Sequence, residues 1–283
     1  MNPENYSTIS FPSLGFSWDP ARSIAIGPLT INFYGLIIAI GLMLAVFYCS
    51  KRSHQFGLDE DTLLDGVLCV TPVAVIFARI YYCLFSWELY ADDPIRVLYI
   101  WEGGIAIYGS VIGAILGIIV FCKVKKVRIT TVLDLVSLGF LIGQALGRWG
   151  NFFNREAFGA ETESFLRMGL MKASTGVVTY YHPTFLYESL WNFTGFLVLH
   201  FLSKKRRYDG QIALGYLAWY GLGRAFIEGL RTDSLYIGPF RVSQLLAAGS
   251  CVVALAILII QSRKLHNPEN LFVNQVAAKK EHK

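Results

Sequence analysis

Apolar residues run in seven long blocks along this chain, at 29 to 50, 63 to 85, 104 to 122, 132 to 150, 183 to 203, 211 to 230 and 240 to 262. Each is close to the about twenty residues that a helix needs to cross about 30 Å of hydrocarbon. The pattern predicts an all-α polytopic membrane protein with seven transmembrane helices. In this reading residues 1 to 265 form a single integral membrane domain, and 266 to 283 a mobile basic tail. Two connecting segments are longer, 86 to 103 and 151 to 182. Their tryptophans and tyrosines suit the boundary between lipid and water. Residues 160 to 180 read as a small exterior cap.

Basic residues follow every odd-numbered block: Lys51 and Arg52; Lys123, Lys125, Lys126 and Arg128; Lys204 to Arg207; and Arg263 and Lys264 with the tail. Cytoplasmic loops carry such clusters. The N-terminus is therefore expected outside, the C-terminus in the cytoplasm, and both long segments on the exterior. No internal repeat divides the chain into matched halves, which counts against a secondary-transporter architecture.

Composition agrees with this reading. The chain is 54% hydrophobic and 16% charged, with a mean hydropathy of +0.47, too apolar for an ordinary soluble domain. The net charge of +5 falls in the clusters just named, so it reports topology rather than a nucleic-acid partner. Cys49, Cys69, Cys83, Cys122 and Cys251 are scattered and odd in number. They give neither a disulfide framework nor metal-ligand spacing, and no metal site is expected. The N-terminal residues lack a basic region and a cleavage site, so they read as retained sequence.

Small residues recur every four positions at Gly109, Gly113 and Gly117, and again at Gly139, Gly143 and Gly147. Such rows let helix backbones approach closely in lipid. The third and fourth spans are expected to cross near one another.

The polar exceptions carry the chemistry. GRWGNFFNREAFG, from 147 to 159, places Arg148, Asn151 and Glu156 at the exit of the fourth block. Polar groups at the edge of hydrocarbon are costly and mark functional sites by default. Arg148 lies about 24 Å along a helix that rises about 1.5 Å per residue, near the outer surface. Tyr220, Arg224, Glu228 and Arg231 fall on one face of the sixth span and climb the same way. Tyr34, Arg79, Glu102, Gly104, Tyr108, His182, Tyr187 and Glu188 all fall in the outer half or rim. Asp134 alone sits near the inner face, where it reads as a helix-end stabiliser. Arg148 and Arg224, with Arg79 or Arg231, leave positive potential for an anion in the outer leaflet. Arginine suits a bidentate grip on phosphate. The bland alternative is that Arg224 pairs with Glu228, and Arg148 with Glu156 or Glu188, only to hold helices together.

These residues resemble the bacterial prolipoprotein diacylglyceryl transferase family. The signature stretch from 147 to 159 matches closely, joined by NFYG at 32 to 35, WEGGIAIYG at 101 to 109, HPTFLYE at 182 to 188 and YGLGRAFIEGLRTD at 220 to 233. The resemblance implies transfer of the diacylglyceryl group of phosphatidylglycerol to the thiol of a lipobox cysteine in an exported prolipoprotein. A thioether forms and glycerol phosphate leaves. It also implies the bacterial cytoplasmic membrane, with the site toward the outer leaflet. The nucleophile comes from the substrate, so no cofactor is expected. Carried over by position, Arg148, Asn151, Glu156 and Gly159 match the signature. Tyr34 matches the first-span tyrosine, Gly104 a third-span glycine, and Tyr220, Arg224 and Glu228 the polar stripe.

Arg148 and Arg224 are expected to hold phosphate and stabilise the leaving group, with Glu228 and Tyr108 completing the catalytic set. Asn151, Glu156, Gly159, Tyr34, Gly104, Tyr220 and His182 are expected at the substrate. Tyr108 departs from members that carry a histidine there, and a phenol of ordinary pKa about 10 is a poor base near neutrality. His182 is the substitute candidate, although beside Pro183 it also reads as the start of the fifth span. Gly147 is assigned to helix contact, and Gly150 and Gly159 to the turn into the exterior loop.

Three other functional classes make different demands on the chain. An anion channel calls for polar groups in both halves of the membrane. A retinal-type receptor calls for a lysine in the seventh span, which 240 to 262 lacks. A serine protease calls for a base beside Ser189.

Overall fold

The long apolar blocks become helices in the computed structural model, which describes residues 6–27, 29–232 and 236–281. After a strand pair, β1 (Tyr6–Phe11) and β2 (Phe16–Trp18), and a hairpin, β3 (Ser23–Ile26) and β4 (Leu29–Asn32), come α1 (Phe33–Arg52), α2 (Glu60–Phe85), α3 (Ile107–Lys125) and α4 (Ile129–Asn154). Strands β5 (Met168–Lys172) and β6 (Val178–Tyr181) precede α5 (Thr184–Ser203) and α6 (Gln211–Glu228). A short hairpin, β7 (Tyr236–Ile237) and β8 (Phe240–Arg241), leads to α7 (Val242–Ser262), and α8 (Phe272–Glu281) ends the chain.

Among the described residues five helices, α1, α2, α3, α4 and α7, are long and apolar enough to cross a membrane. This is a mostly helical membrane protein. Helices α5 and α6 do not join that group, because Glu188, Asn192 and His200 interrupt the first and Gln211, Arg224 and Glu228 the second.

The expectation of an all-α chain needs correction. Strands β2, β1, β5 and β6 form a four-stranded antiparallel sheet in that order. Strand β4, paired with β3, occupies 29 to 32, where the first span was expected to begin. A short apolar stretch with alternating polar residues does not distinguish strand from helix by hydropathy alone.

By internal contacts the chain falls into two compact units. The first holds residues up to Tyr48 together with Asp134–Pro268, and the second holds Cys49–Leu133 and the residues from Glu269 onward. In the first unit the sheet covers Ile9, Phe11, Phe152, Phe158, Met168, Leu170, Tyr181 and Phe185. That cluster ties the end of α4 and the start of α5 to the strands. Burial and a hydrogen bond with Tyr6 push the Tyr181 phenol up to about 12, so it stays protonated. Helices α5 and α6 are locked in register by Trp191 and Trp219. The rings stack at 4.6 Å, and each indole N–H donates to the other residue's carbonyl at 2.9 Å.

Each glycine row has a close neighbour within its own unit. In the second unit, a Cβ at Gly109 would lie 2.6 Å from the Tyr81 Cβ, and one at Gly113 2.6 Å from the Phe77 Cβ, so α3 packs its row on α2. In the first unit, Gly143 and Gly147 of α4 lie against Gly41 and Ile38 of α1. A row of small residues permits a close neighbour without naming it.

The tail is also folded. Helix α8 seats Val273 on Gly57, and Arg128 donates to the Asn270 carbonyl at 2.7 Å and to the Gln275 Oε1 at 2.9 Å. The mobile tail of the sequence reading is thus a docked helix as far as Glu281.

Asp134 is fully buried. Its carboxylate accepts from the backbone N–H of Gly210 at 2.7 Å and of Ala213 at 2.8 Å. It therefore stabilises the first turn of α6 from across the unit, rather than its own helix. Replacing Asp134 with alanine leaves two N–H groups unpaired in a dry setting. The expected cost is about 1 to 3 kcal/mol. A lowered thermal unfolding midpoint in detergent checks this, and an unchanged midpoint would refute the anchoring role.

Candidate active site

Side chains from three helices bring charge together in the first unit. Helix α4 presents Arg148, α5 presents Glu188, and α6 presents Arg224 and Glu228 on successive turns, with Arg231 just beyond its end. Glu188 is the shared partner. Its Oε2 lies 2.7 Å from Arg148, and its Oε1 lies 3.1 Å from Arg224 and 3.6 Å from Arg231. Arg224 also reaches Glu228 at 2.6 Å. Both carboxylates are almost fully buried, at 4% and 2% exposure, while the side chains of Arg148, Arg224 and Arg231 keep 22%, 17% and 12%. Among the described residues, three guanidinium groups thus face these two buried carboxylates, and each arginine keeps a partly exposed edge. Such a cluster suits an anion whose oxygens accept several N–H bonds.

The signature stretch feeds this network. Arg148 donates to the Asn151 Oδ1 at 3.4 Å, and Asn151 donates to the Glu156 Oε1 at 3.0 Å. Asn154 donates to the same oxygen at 3.3 Å. Glu156 therefore holds the two asparagine amides, and of the two partners open for Arg148 the structure selects Glu188. The second arginine of the signature, Arg155, is 3% exposed. It bonds the Ser7 and Phe153 carbonyls, the Asp19 carboxylate and, at 2.7 Å, the Pro20 carbonyl. It pins the N-terminal strands to the end of α4, a role that nothing in its local sequence announces.

The glycines act differently from expectation. Gly150 is still helical, and a Cβ there would fall 2.6 Å from the Tyr34 ring, so its bareness admits Tyr34. The chain turns instead at Arg155 and Ala157, both with φ of 56°. Gly159 donates to the His182 carbonyl at 2.9 Å and pairs with Arg231, and a Cβ there would meet the Leu230 carbonyl oxygen at 2.9 Å. It sets Arg231 and His182 on either side of one strand-like contact. The His182 Nδ1 lies 3.3 Å from the Tyr187 hydroxyl, and Pro183 caps α5. Tyr220 shares the α6 face with Arg224 and Glu228. Asp233, the last residue of its motif, lies outside the described residues.

Tyr108, Gly104 and Arg79 belong to the second unit. Arg79 is buried and spends its donors on carbonyls: Val97 at 2.8 Å, Gly103 at 2.5 Å, Gly104 at 3.0 Å and Arg96 at 2.6 Å. It also lies over the Tyr90 ring. Arg79 thus holds the 86 to 103 segment, and Arg231 is the third arginine of the anion cluster. Gly104, at φ +71°, has no room for a Cβ, which would lie 2.6 Å from the Arg79 Nη1. Tyr108 opens α3, with its ring centroid 6.4 Å from that of Tyr81. Replacing Gly104 with alanine imposes a left-handed strain and a clash, together about 1 to 3 kcal/mol. Faster limited proteolysis within 86 to 103 is expected, and an unchanged cleavage rate would show that the segment does not depend on this contact.

Comparison with known proteins is consistent across most of the chain. Residues 22–260 match the family model for prolipoprotein diacylglyceryl transferase. A Bacillus cereus (strain Q1) protein named phosphatidylglycerol--prolipoprotein diacylglyceryl transferase is 42% identical over 250 residues, covering 85% of this chain and 92% of the relative. A Halalkalibacterium halodurans protein of the same name is 46% identical over 232 residues, covering 79% and 80%.

Proposed function

Because this chain belongs to the prolipoprotein diacylglyceryl transferase family, we propose that it moves the diacylglyceryl group of phosphatidylglycerol to the lipobox cysteine thiol of a prolipoprotein. The observation that carries the site assignment is the convergence of Arg148, Arg224 and Arg231 on Glu188. Sulfur attacks the glyceryl carbon that bears the phosphate ester. The carbon–oxygen bond to phosphate breaks, a thioether forms, and glycerol phosphate departs with the electron pair. Negative charge develops on the phosphate oxygens, and the exposed edges of Arg148 and Arg224 meet it with donors already fixed by buried carboxylates. Fixed donors of this kind stabilise a transition state without reorganising. The same positive potential favours the thiolate form of the incoming cysteine, whose ordinary pKa is about 8.5.

Asn151, held by Glu156, orients the headgroup, and Tyr34 and Tyr220 supply hydrogen bonds. Gly159 shapes the binding region by admitting the close approach of the Leu230 carbonyl, while Gly104, in the second unit, makes room for the Arg79 and Tyr82 side chains. The thiol proton has three candidate acceptors. Among the described residues Glu156 is bonded to the Asn151 and Asn154 amides and to no arginine. His182 and Tyr108 are the others. Glu156→Gln, His182→Asn and Tyr108→Phe separate them, because only loss of the true acceptor moves the acidic limb of the rate profile. The reaction needs no cofactor, since the substrate supplies the nucleophile.

In this reading α5 and α6 complete a set of seven spans, with the N-terminus outside and the C-terminus in the cytoplasm. The site then faces the outer leaflet of the bacterial cytoplasmic membrane. Basic clusters at all four odd-numbered exits support that orientation. The test is incubation of purified protein with phosphatidylglycerol and a lipobox peptide. A peptide mass increased by one diacylglyceryl group is the expected result, and an unmodified peptide overturns the reading.

A further inference from the structure

Below the ionic cluster lies a second polar layer. On α4, Gln144 is four residues before Arg148; on α5, Asn192 is four residues after Glu188; on α6, Tyr220 and Tyr216 are four and eight residues before Arg224. The direct bond from Arg148 to Glu188 and that from the Ser189 hydroxyl to the Ala145 carbonyl at 2.8 Å set α4 and α5 level with each other. One helical turn, about 5.4 Å, therefore carries the three helices from the charged layer to Gln144, Asn192 and Tyr220, with Tyr216 about one turn further along α6.

Its hydrogen bonding is unbalanced. Gln144 Nε2 donates to the Tyr216 hydroxyl at 2.9 Å, which leaves the phenol proton free to point elsewhere. Tyr220 stacks on Tyr216 at 5.7 Å, and its hydroxyl makes no hydrogen bond among the described residues. The Asn192 Nδ2, in a side chain 2% exposed, has no acceptor, and the Gln144 Oε1 has no donor. Among the described residues the layer thus keeps three donor groups unused, the Tyr216 and Tyr220 hydroxyls and the buried Asn192 amide. A polar group unpaired in hydrocarbon costs several kcal/mol, so this arrangement calls for a ligand rich in acceptors.

We infer that this layer is the ester subsite for the diacylglyceryl group. Tyr216, Tyr220 and Asn192 donate to the ester carbonyls while the phosphate sits on the arginines above. The inference rests on the transferase reading for its ligand, and it is supported by chemistry: a few bonds inward from its phosphate, a glycerolipid offers carbonyl acceptors and no donors. Gln144 serves by aiming the Tyr216 proton.

The probe is a pair of phosphatidylglycerols with equal chain lengths, one diacyl and one dialkyl. The ether lipid lacks both carbonyls yet keeps the carbon and phosphate that react. The wild-type chain is expected to show a KM about tenfold or more lower for the diacyl lipid, because sites built to hydrogen-bond a substrate reject analogues that lack the partner. Tyr216→Phe and Asn192→Leu are each expected to narrow that gap about three- to tenfold by weakening the diacyl lipid alone. Asn192→Leu should also raise thermal stability in lipid-free detergent, since it removes an unpaired buried amide, and a structural role would move that midpoint the other way. Gln144→Met keeps the volume and should reproduce the Tyr216→Phe effect. Equal KM values in the wild type, or a gap that survives all three variants, overturns the inference. Binding of the two lipids followed by native mass spectrometry runs in parallel. If no peptide is modified with either lipid, the transferase reading falls, and the ratio of bound lipids still decides the subsite.

Discussion

Arg224→Ala is expected to reduce transfer to a lipobox peptide by about 10² to 10³, the range seen when one preorganised donor to developing negative charge is removed. Arg224 touches both buried carboxylates, Glu188 at 3.1 Å and Glu228 at 2.6 Å, and still keeps an exposed edge. Its removal subtracts a donor from the phosphate and leaves Glu228 without its closest cation. Arg148→Ala should fall in the same range, since Arg148 meets the other oxygen of Glu188 and also carries Asn151. Lysine at either position restores the charge without the fork that binds two oxygens at once. Lysine variants should therefore recover only part of the rate. Turnover is measured on variants that retain the wild-type unfolding midpoint in detergent. Near-normal turnover in both alanine variants would remove the arginines from the chemistry.

Glu188→Ala should act first on stability. It takes away the one carboxylate shared by Arg148, Arg224 and Arg231, and loss of one partner from a buried ion pair costs about 3 to 5 kcal/mol. The three guanidinium groups then repel one another, so the variant is expected to unfold at a lower temperature and to lose activity together. Glu188→Gln keeps an acceptor but not the charge, and should separate the effects: much of the packing survives while the arginines spread apart. If Glu188→Ala unfolds at the wild-type temperature, Glu188 is not the organising partner that the geometry indicates.

Much of this site was legible beforehand because helix periodicity is local. Tyr220, Arg224 and Glu228 share a face wherever α6 sits, and the polarity of Arg148, Asn151 and Glu156 at the end of an apolar block needs no fold to be noticed. Other assignments depended on distances between helices. Arg79 and Arg231 looked equally suited to an anion, yet Arg79 is consumed by four backbone carbonyls. Gln144, Asn192 and Tyr216 drew no notice in the sequence, because a lone polar residue in a span acquires meaning only when its neighbours on other helices are known.

Where the long helices run, the family and the three polar faces of the site are all readable from the order of residues alone. These follow from hydrophobic periodicity and motif spacing, which act over a few residues. The folded structure was needed to show that Glu188 rather than Glu156 receives Arg148, that Asp134 holds the first turn of α6, that Gly109 and Gly113 pack on α2 while Gly143 and Gly147 pack on α1, and that strands cover the ends of α4 and α5. Those outcomes turn on packing between segments far apart in the chain, where contacts of a few ångströms select one partner among several that the local pattern leaves equal.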